Sequence, residues 1–390
     1  MINEPETLQL KKPTFIDLFA GIGGIRIAFE DSGATCVFTS EIDKFARQTY
    51  QAYFQDPEDH PTSNDITQID PLDIPDHDIL TGGFPCQPFS IAGVSKKNSL
   101  GREHGFNDPT KGTLFFNIKA ILLAKRPKAF LLENVKNLRS HDKGKTWKVI
   151  EQTLRECGYS FSDRILDAAS IVPQHRERVF IVGFDRQQFG LPAQQLDFTH
   201  FWDCVESAME TRRYELAKLY AVPANAAFPE VGYILEDEAT IPDKYILTPR
   251  LWEYLQEYKR KHQAKGNGFG FGLVEPQHKY TRTLSARYYK DGSEALIARN
   301  DDIPRRLTPL ECSRLQGFPV DFQAMYERTI TTQPASDCQS YKQFGNSVCV
   351  PVVASIAEVV TQYLASSCED LVPATGAQQE FFQEIVKEIA

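Results

Sequence analysis

The chain has 390 residues, 42% of them hydrophobic and 24% charged, an ordinary soluble composition with length enough for two cores. Its eight cysteines, at 36, 86, 157, 204, 312, 338, 349 and 368, form no Cys-x-x-Cys pair and have no His-x-x-x-His partner, so no metal is expected, and free thiols in a reducing cytoplasm are. A formal net charge of −9 disfavours nucleic acid if spread evenly, and neither a signal-peptide core nor an apolar run of membrane length is read.

The charge is not spread evenly. Residues 1–80 carry 5 Lys+Arg against 15 Asp+Glu. Within them Phe15 to Phe19 predicts a strand, Gly21 to Gly24 a tight turn and Ile25 to Glu30 the start of a helix. This is a Rossmann-type opening, in which glycines let backbone approach a ligand. It lacks the phosphate-binding Gly-x-Gly-x-x-Gly form, and no Gly-Lys-Ser/Thr follows, so a nucleoside without a pyrophosphate is favoured. Cys36 to Asp43 is a second strand ending in acid about 20 residues after the glycines, where a carboxylate suits ribose hydroxyls. Glu41 is the candidate there, with Ile42 packing on an adenine face. A helix to about Tyr53 follows. Asp65 then offers a carboxylate to an adenine amino group, or equally a helix cap.

Asp78 to Ser90 holds the residues on which the chemistry turns. Ile79 and Leu80 lead a buried strand into two glycines, and Pro85 and Pro88 bracket Cys86. A lone cysteine is usually a small buried hydrophobe. Here Glu133-Asn134-Val135 and Gln174-His175-Arg176-Glu177-Arg178 follow at separations that suit neighbouring strands, so thiol, carboxyl and paired guanidiniums can meet at one sheet edge. Ile91 to Phe106 reads as a long Gly, Ser and Lys loop of the kind that closes over substrate. Residues 95–148 carry 13 Lys+Arg against 4 Asp+Glu, which points to a polyanion beside Cys86. Helices are expected over Lys111 to Lys125 and Thr146 to Cys157, and strands over Ala129 to Glu133, Phe161 to Ala168 and Val179 to Gly183.

Periodicity changes after Gly183. Residues 185–240 read as the irregular start of a second domain, followed by a helix over Leu251 to Lys261 and a glycine-rich run from Gly266 to Gly272. Tyr280 to Lys290 reads as one or two strands with a turn at Asp291-Gly292, its interleaved Arg, Tyr and Lys suited to phosphates and bases. A helix opens at Pro309, Gln343 to Val348 forms a glycine turn, and Val350 to Leu364 is helical. The tail from Ala365 is acidic, with an apolar stripe from Phe381 to Ile389.

Six blocks, Phe15–Gly24, Gly83–Ser90, Glu133–Val135, Gln174–Arg178, Arg306–Pro319 and Gln343–Val348, resemble the DNA cytosine-5 methyltransferase family in order and spacing. The resemblance implies an α/β fold: a Rossmann-like S-adenosylmethionine-dependent methyltransferase domain over 1–184 and 335–390, and a smaller, mostly β or irregular target-recognition domain over 185–334. Double-stranded DNA would lie between them. Carried across, Cys86 resembles the nucleophile, Glu133 the acid at cytosine N3, Arg178 the donor to O2 and Arg176 a neighbouring support. Phe19, Gly21, Gly23, Glu41, Ile42, Asp65, Pro85 and Asn346 resemble the contacts to S-adenosylmethionine, and no metal is implied. Val94 to Arg102 and the recognition region look like the Dcm-type subgroup, whose members read CCWGG. A short palindrome with a CC…GG core is therefore expected, with Arg282 and Arg287 as candidate guanine contacts, the alternative being that one or both grip phosphate or brace the domain. A cytoplasmic monomer is expected, either solitary or paired with a restriction endonuclease as a functional rather than physical partner.

Two other readings compete. An RNA cytosine methyltransferase on the same catalytic domain would not need the roughly 120 residues between Gly183 and Arg305. A non-catalytic DNA-binding relative would be expected to have lost Cys86, Glu133 or a cofactor glycine, and all are present.

Overall fold

Up to Asp185, short β-branched and aromatic runs alternate with helix-forming stretches, and the chain builds one sheet from them. A computed structural model describes residues 12–85, 114–189, 196–223, 226, 228–268, 270–300, 303–332 and 336–365. The elements are β1 (Thr14–Leu18), α1 (Gly24–Asp31), β2 (Thr35–Ser40), α2 (Lys44–Phe54), β3 (Thr62–Ser63), β4 (Ile79–Gly83), α3 (Phe115–Lys125), β5 (Ala129–Val135), α4 (Lys145–Glu156), β6 (Tyr159–Asp167) and β7 (Glu177–Asp185). Strand order is β3-β2-β1-β4-β5-β7-β6. The first five strands are parallel, and β7 runs antiparallel between β5 and β6.

Side chains alternate across this sheet, and both faces are covered. Phe15, Ala129, Leu131, Val182 and Phe184 point to one face, under α1. Ile16, Leu18, Phe130, Leu132 and Ile181 point to the other, under α3 and α4. Because the strands are parallel up to β5, the ends of β1, β2, β4 and β5 all open at one edge, where α/β sheets hold ligands.

After the sheet come α5 (Phe198–Leu219), α6 (Pro249–Ala264), β8 (Leu273–Val274), β9 (Leu296–Ile297), β10 (Arg305–Arg306), α7 (Pro309–Leu315), α8 (Val320–Thr332), α9 (Asp337–Asn346) and α10 (Val350–Ala365). The second sheet is small, in the order β10-β9-β8. It is anchored by Arg305, 1% exposed, whose guanidinium forks onto the buried Glu311 at 2.8 and 2.9 Å. Glu311 also closes a capping box with Thr308 at the start of α7.

Four expectations are corrected. Residues 185–240 are not irregular throughout: Phe201, Trp202, Val205 and Met209 of α5 pack into the core of the large sheet beside α10. Arg212 ties that helix to Asp31 of α1 at 2.9 Å and to Glu358 of α10 at 3.1 Å. Tyr280 to Lys290 forms no strand beyond one bridge, Gln174 to Thr281, because its backbone is held by side chains and turns instead of a ladder. Gln343 to Asn346 is the last turn of α9, with the break after it at Ser347. Asp337–Ala365 is apolar enough by length and composition to cross a membrane, yet α10 is a core helix with Val353, Ile356, Ala357 and Val360 at 0% exposure.

The α5 assignment has a direct consequence. Phe201 is fully buried among Phe184, Trp202 and Tyr363. Phe201→Ala should therefore destabilise the chain by about 3–5 kcal/mol in denaturant titration, whereas a surface helix would lose less than about 1 kcal/mol.

Candidate active site

The turn between β1 and α1 is built on backbone that few residues accept. Phe19, Gly21 and Gly23 have φ of 57°, 57° and 87°. A bulky residue in the left-handed region is uncommon and marks backbone held by its surroundings. Gly23 also admits no side chain, since a Cβ would stand 2.3 Å from the Phe54 ring. Below the turn, Asp17 is wholly buried and its carboxyl is pushed up to about 7, chiefly by loss of solvent and partly offset by Arg26. Across the turn, Glu41 accepts the Gly21 amide at 2.7 Å with one oxygen and the Asp43 amide at 2.7 Å with the other. Arg47 donates to the Glu41 and Ile42 carbonyls at 2.9 and 2.7 Å. Ile42 itself is 72% exposed. Asp65 is a cap: its Oδ1 accepts from the Thr67 amide at 2.9 Å and the Thr67 hydroxyl at 2.8 Å.

The second half of the site lies at the ends of β4, β5 and β7. Register sets Glu133 beside Gly83 on one side and Phe180 on the other, with Val135 opposite Arg178. Glu133 Oε1 stands 3.1 Å from Arg178 Nε, and the two side chains are 13% and 15% exposed. Burial raises the Glu133 pKa, with the Arg178 and Arg176 charges opposing the rise. Asn134 donates from its amide to the Phe84 carbonyl at 2.7 Å, and its oxygen accepts the Val135 amide at 2.9 Å. It thereby fixes the chain just ahead of Pro85. Cys86 and the rest of its loop lie outside the described residues. Of the described thiols, Cys36, Cys157, Cys312 and Cys349 are buried, and burial pushes Cys36 and Cys349 up to about 12, far from a reactive thiolate.

The two halves share one cavity of about 480 Å³, within the range of small-molecule sites. Phe19, Gly21, Glu41, Ile42, Asp65, Pro85, Glu133, Arg178 and Asn346 all line it. Gly23 does not, and shapes the turn instead. Arg176 is absent from the wall as well: it is 2% exposed, and its guanidinium donates to the carbonyls of Leu284 at 2.9 Å, Gly345 at 3.0 Å and Ser347. Burial and the neighbouring Arg178 lower its pKa to about 9. Asn134, Gln343 and Lys342 also line the cavity, although the sequence reading named none of them as site residues. Asn134 could have been found from its place in the Glu133-Asn134-Val135 block.

The donor set fits S-adenosylmethionine. Glu41, Asp43 and Asp65 present carboxylates at one end for hydroxyl and amino groups, and the exposed Ile42 offers a flat apolar contact. Away from the cavity, Arg282 spends a donor on the Gly270 carbonyl at 2.8 Å, bracing the glycine-rich loop. Arg287 is exposed, and its guanidinium has no partner among the described residues.

Residues 13–362 match the family described as C-5 cytosine-specific DNA methylase. The chain is 46% identical to the DNA-cytosine methyltransferase of Escherichia coli K12, over 89% of this chain and 77% of that one. It is 47% identical to the type II methyltransferase M.NlaX of Neisseria lactamica, over 90% and 97%. The Dnmt2 methyltransferase of S. pombe superposes with a TM-score of 0.66 at 19% identity, covering 90% of this chain and 99% of that chain, a likeness of fold.

The raised Glu133 pKa sets a testable pH dependence. An acid that must be protonated to act loses activity as pH rises through its own pKa. Glu133→Gln keeps shape and hydrogen bonding but has no acid proton, so methyl transfer should fall by about 10²- to 10⁴-fold. The alkaline limb that Glu133 imposes on the parent should vanish, while S-adenosylmethionine affinity by calorimetry should hardly move. Unaltered turnover would make the carboxyl structural.

Proposed function

The chain belongs to the C-5 cytosine-specific DNA methylase family and is a DNA (cytosine-5-)-methyltransferase; on that premise we propose how its own residues perform the transfer. The observation that carries the reading is the single cavity joining the Glu133–Arg178 pair to the Phe19, Glu41 and Asn346 end. S-adenosylmethionine, when bound, supplies the methyl group on a sulfonium. Phe19, Gly21, Glu41, Ile42, Asp65, Pro85 and Asn346 hold it, and Gly23 keeps the turn in shape.

Cytosine C5 is too weak a nucleophile to take that methyl unaided. Cys86 adds as thiolate to C6, and the displaced electron pair makes C5 nucleophilic. Glu133 gives its proton to N3 as the adduct forms, so no full negative charge builds on the ring. Its raised pKa supports that role, because the proton is kept at a pH where an exposed carboxyl has lost it. Arg178 donates to O2 and, at 3.1 Å, steadies the Glu133 carboxylate once the proton has gone. Once C5 carries the methyl, N3 returns its proton to Glu133, a base removes the C5 proton, and the C5–H electron pair forms the C5–C6 double bond and expels the Cys86 sulfur as thiolate. Arg176, enclosed by backbone carbonyls, acts as a support. None of this chemistry is reachable inside a stacked duplex, so the cytosine is flipped out of double-stranded DNA.

The recognition sequence is proposed to be a short palindrome with a CC…GG core. Support comes from the Dcm-like recognition segment and the 46% identity to the E. coli enzyme. Arg287, exposed and without a guanidinium partner among the described residues, is the stronger candidate for a guanine, with Arg282 beside it. Relatives described as type II methyltransferases support a role beside a restriction endonuclease, and we propose a cytoplasmic monomer.

Base-resolution mapping of 5-methylcytosine in plasmid DNA from cells expressing only this chain tests the reading. Modification within CC…GG sites is expected. Methylation confined to sites without that core would overturn the proposed specificity and leave the reaction standing, whereas DNA without 5-methylcytosine would overturn the reaction.

A further inference from the structure

The segment that carries Arg282 and Arg287 belongs to no strand ladder, so something else must set its height above the site. It is fastened to the root of β7. The His175 amide donates to the Thr281 carbonyl at 3.0 Å, and the Thr281 amide to the Pro173 carbonyl at 2.9 Å. The Thr283 hydroxyl donates to the His175 carbonyl. Leu284 is then gripped at both polar backbone atoms by side chains. Gln174, fully buried, accepts the Leu284 amide at 2.8 Å and donates to the Leu315 carbonyl at 3.2 Å. Arg176 donates to the Leu284 carbonyl at 2.9 Å, while its other terminal nitrogen holds Gly345 and Ser347 beside the cofactor end of the cavity. Contact at this joint is backbone to backbone: a Cβ on Gly345 would stand 2.3 Å from the Ala286 nitrogen and 2.4 Å from the Ser285 oxygen.

Arg178 of β7 follows Arg176, which immediately precedes that strand, by two residues, and Arg287 follows Leu284 by three. One short joint therefore spans the catalytic pair and the base-reading segment. We propose that Gln174 and Arg176 are positioning residues for target recognition, fixing the 281–287 segment relative to Glu133 and Arg178 so that sequence discrimination depends on two side chains that touch no base. The physical ground is tolerance. Hydrogen bonds to base edges work over a few tenths of an ångström, and a segment without a ladder holds that tolerance only through its clamps. The assignment rests on the reading of residues 281–287 as DNA-facing given above.

The test compares kcat/KM on a duplex carrying the site found by plasmid mapping with duplexes that differ from it by one base pair. Gln174→Ala leaves the wall of the cofactor cavity intact, and Arg176→Lys keeps the charge but cannot hold three carbonyls together. One changed pair ordinarily costs about tenfold or more, and Gln174→Ala should shrink that ratio by about tenfold while S-adenosylmethionine affinity stays within about twofold. Arg176→Lys should shrink it as well. A Gln174→Ala chain that is slower on every duplex alike, with discrimination intact, overturns the assignment. Should Gln174→Ala fail to fold, Thr283→Val removes the partly exposed clamp, and unchanged discrimination there overturns the assignment too. A parent chain that methylates none of the duplexes overturns the proposed function, and this assignment with it.

Discussion

A carboxyl whose pKa burial raises despite the guanidinium beside it is the constraint on which the rest of this structure depends. Glu133 lies 3.1 Å from Arg178, a separation that favours the carboxylate, yet burial outweighs the attraction and raises its pKa. Water must be kept from both groups for that balance to hold. The sheet meets the requirement by topology. Glu133 lies where the parallel pairing of β4 and β5 ends, and the antiparallel β7 beside it brings Arg178 to the same edge. Asn134, 3% exposed, closes the floor by binding the Phe84 carbonyl.

The cofactor end depends on the same edge but on different physics. Here backbone conformation is strained and side chains hold the strain in place. Glu41 takes the Gly21 amide of the left-handed turn and the Asp43 amide at the start of α2, and the α1 to α2 contact fills the space behind Gly23 with the Phe54 ring. Arg26 stacks on that ring at 4.0 Å and forks onto Asp56 at 2.6 Å with both nitrogens, which steadies the contact. An acid-lined pocket and a buried acid thus sit in one cavity, where the Arg178 and Arg176 charges oppose the rise that burial gives the Glu133 pKa.

How much of this could be read from residues alone follows from range. The β1 turn was legible because its glycines and the acid of β2 lie within about 20 residues and obey a known geometry. Glu133 and Arg178 were legible as a pair because strand endings converge at one edge. The helix of residues 198–219 was not. Its aromatic stripe is interrupted by Asp203, Glu206, Glu210, Arg212 and Arg213, and only the packed Phe184, Trp202 and Tyr363 rings reveal which face is buried. Gln174 and Arg176 were read as part of a catalytic block, while their partners at Leu284 stand 110 and 108 residues away. No local pattern announces such a contact. Asp65 fell between a cap and an adenine contact, and the structure gives it the cap and a place in the cavity wall together.

The central claim is that a cysteine thiolate adds to the cytosine ring while Glu133 supplies the proton. A duplex with 5-fluorocytosine at the mapped position tests it most directly, because fluorine at C5 cannot leave as a proton and the adduct cannot decay. With S-adenosylmethionine present, the parent chain should form a complex with the duplex that survives a denaturing gel, with the cross-linked peptide containing Cys86. Cys86→Ala should form none while still binding duplex and cofactor. An adduct of equal yield in Cys86→Ala, or a parent chain that methylates cytosine without trapping on 5-fluorocytosine, would contradict the account.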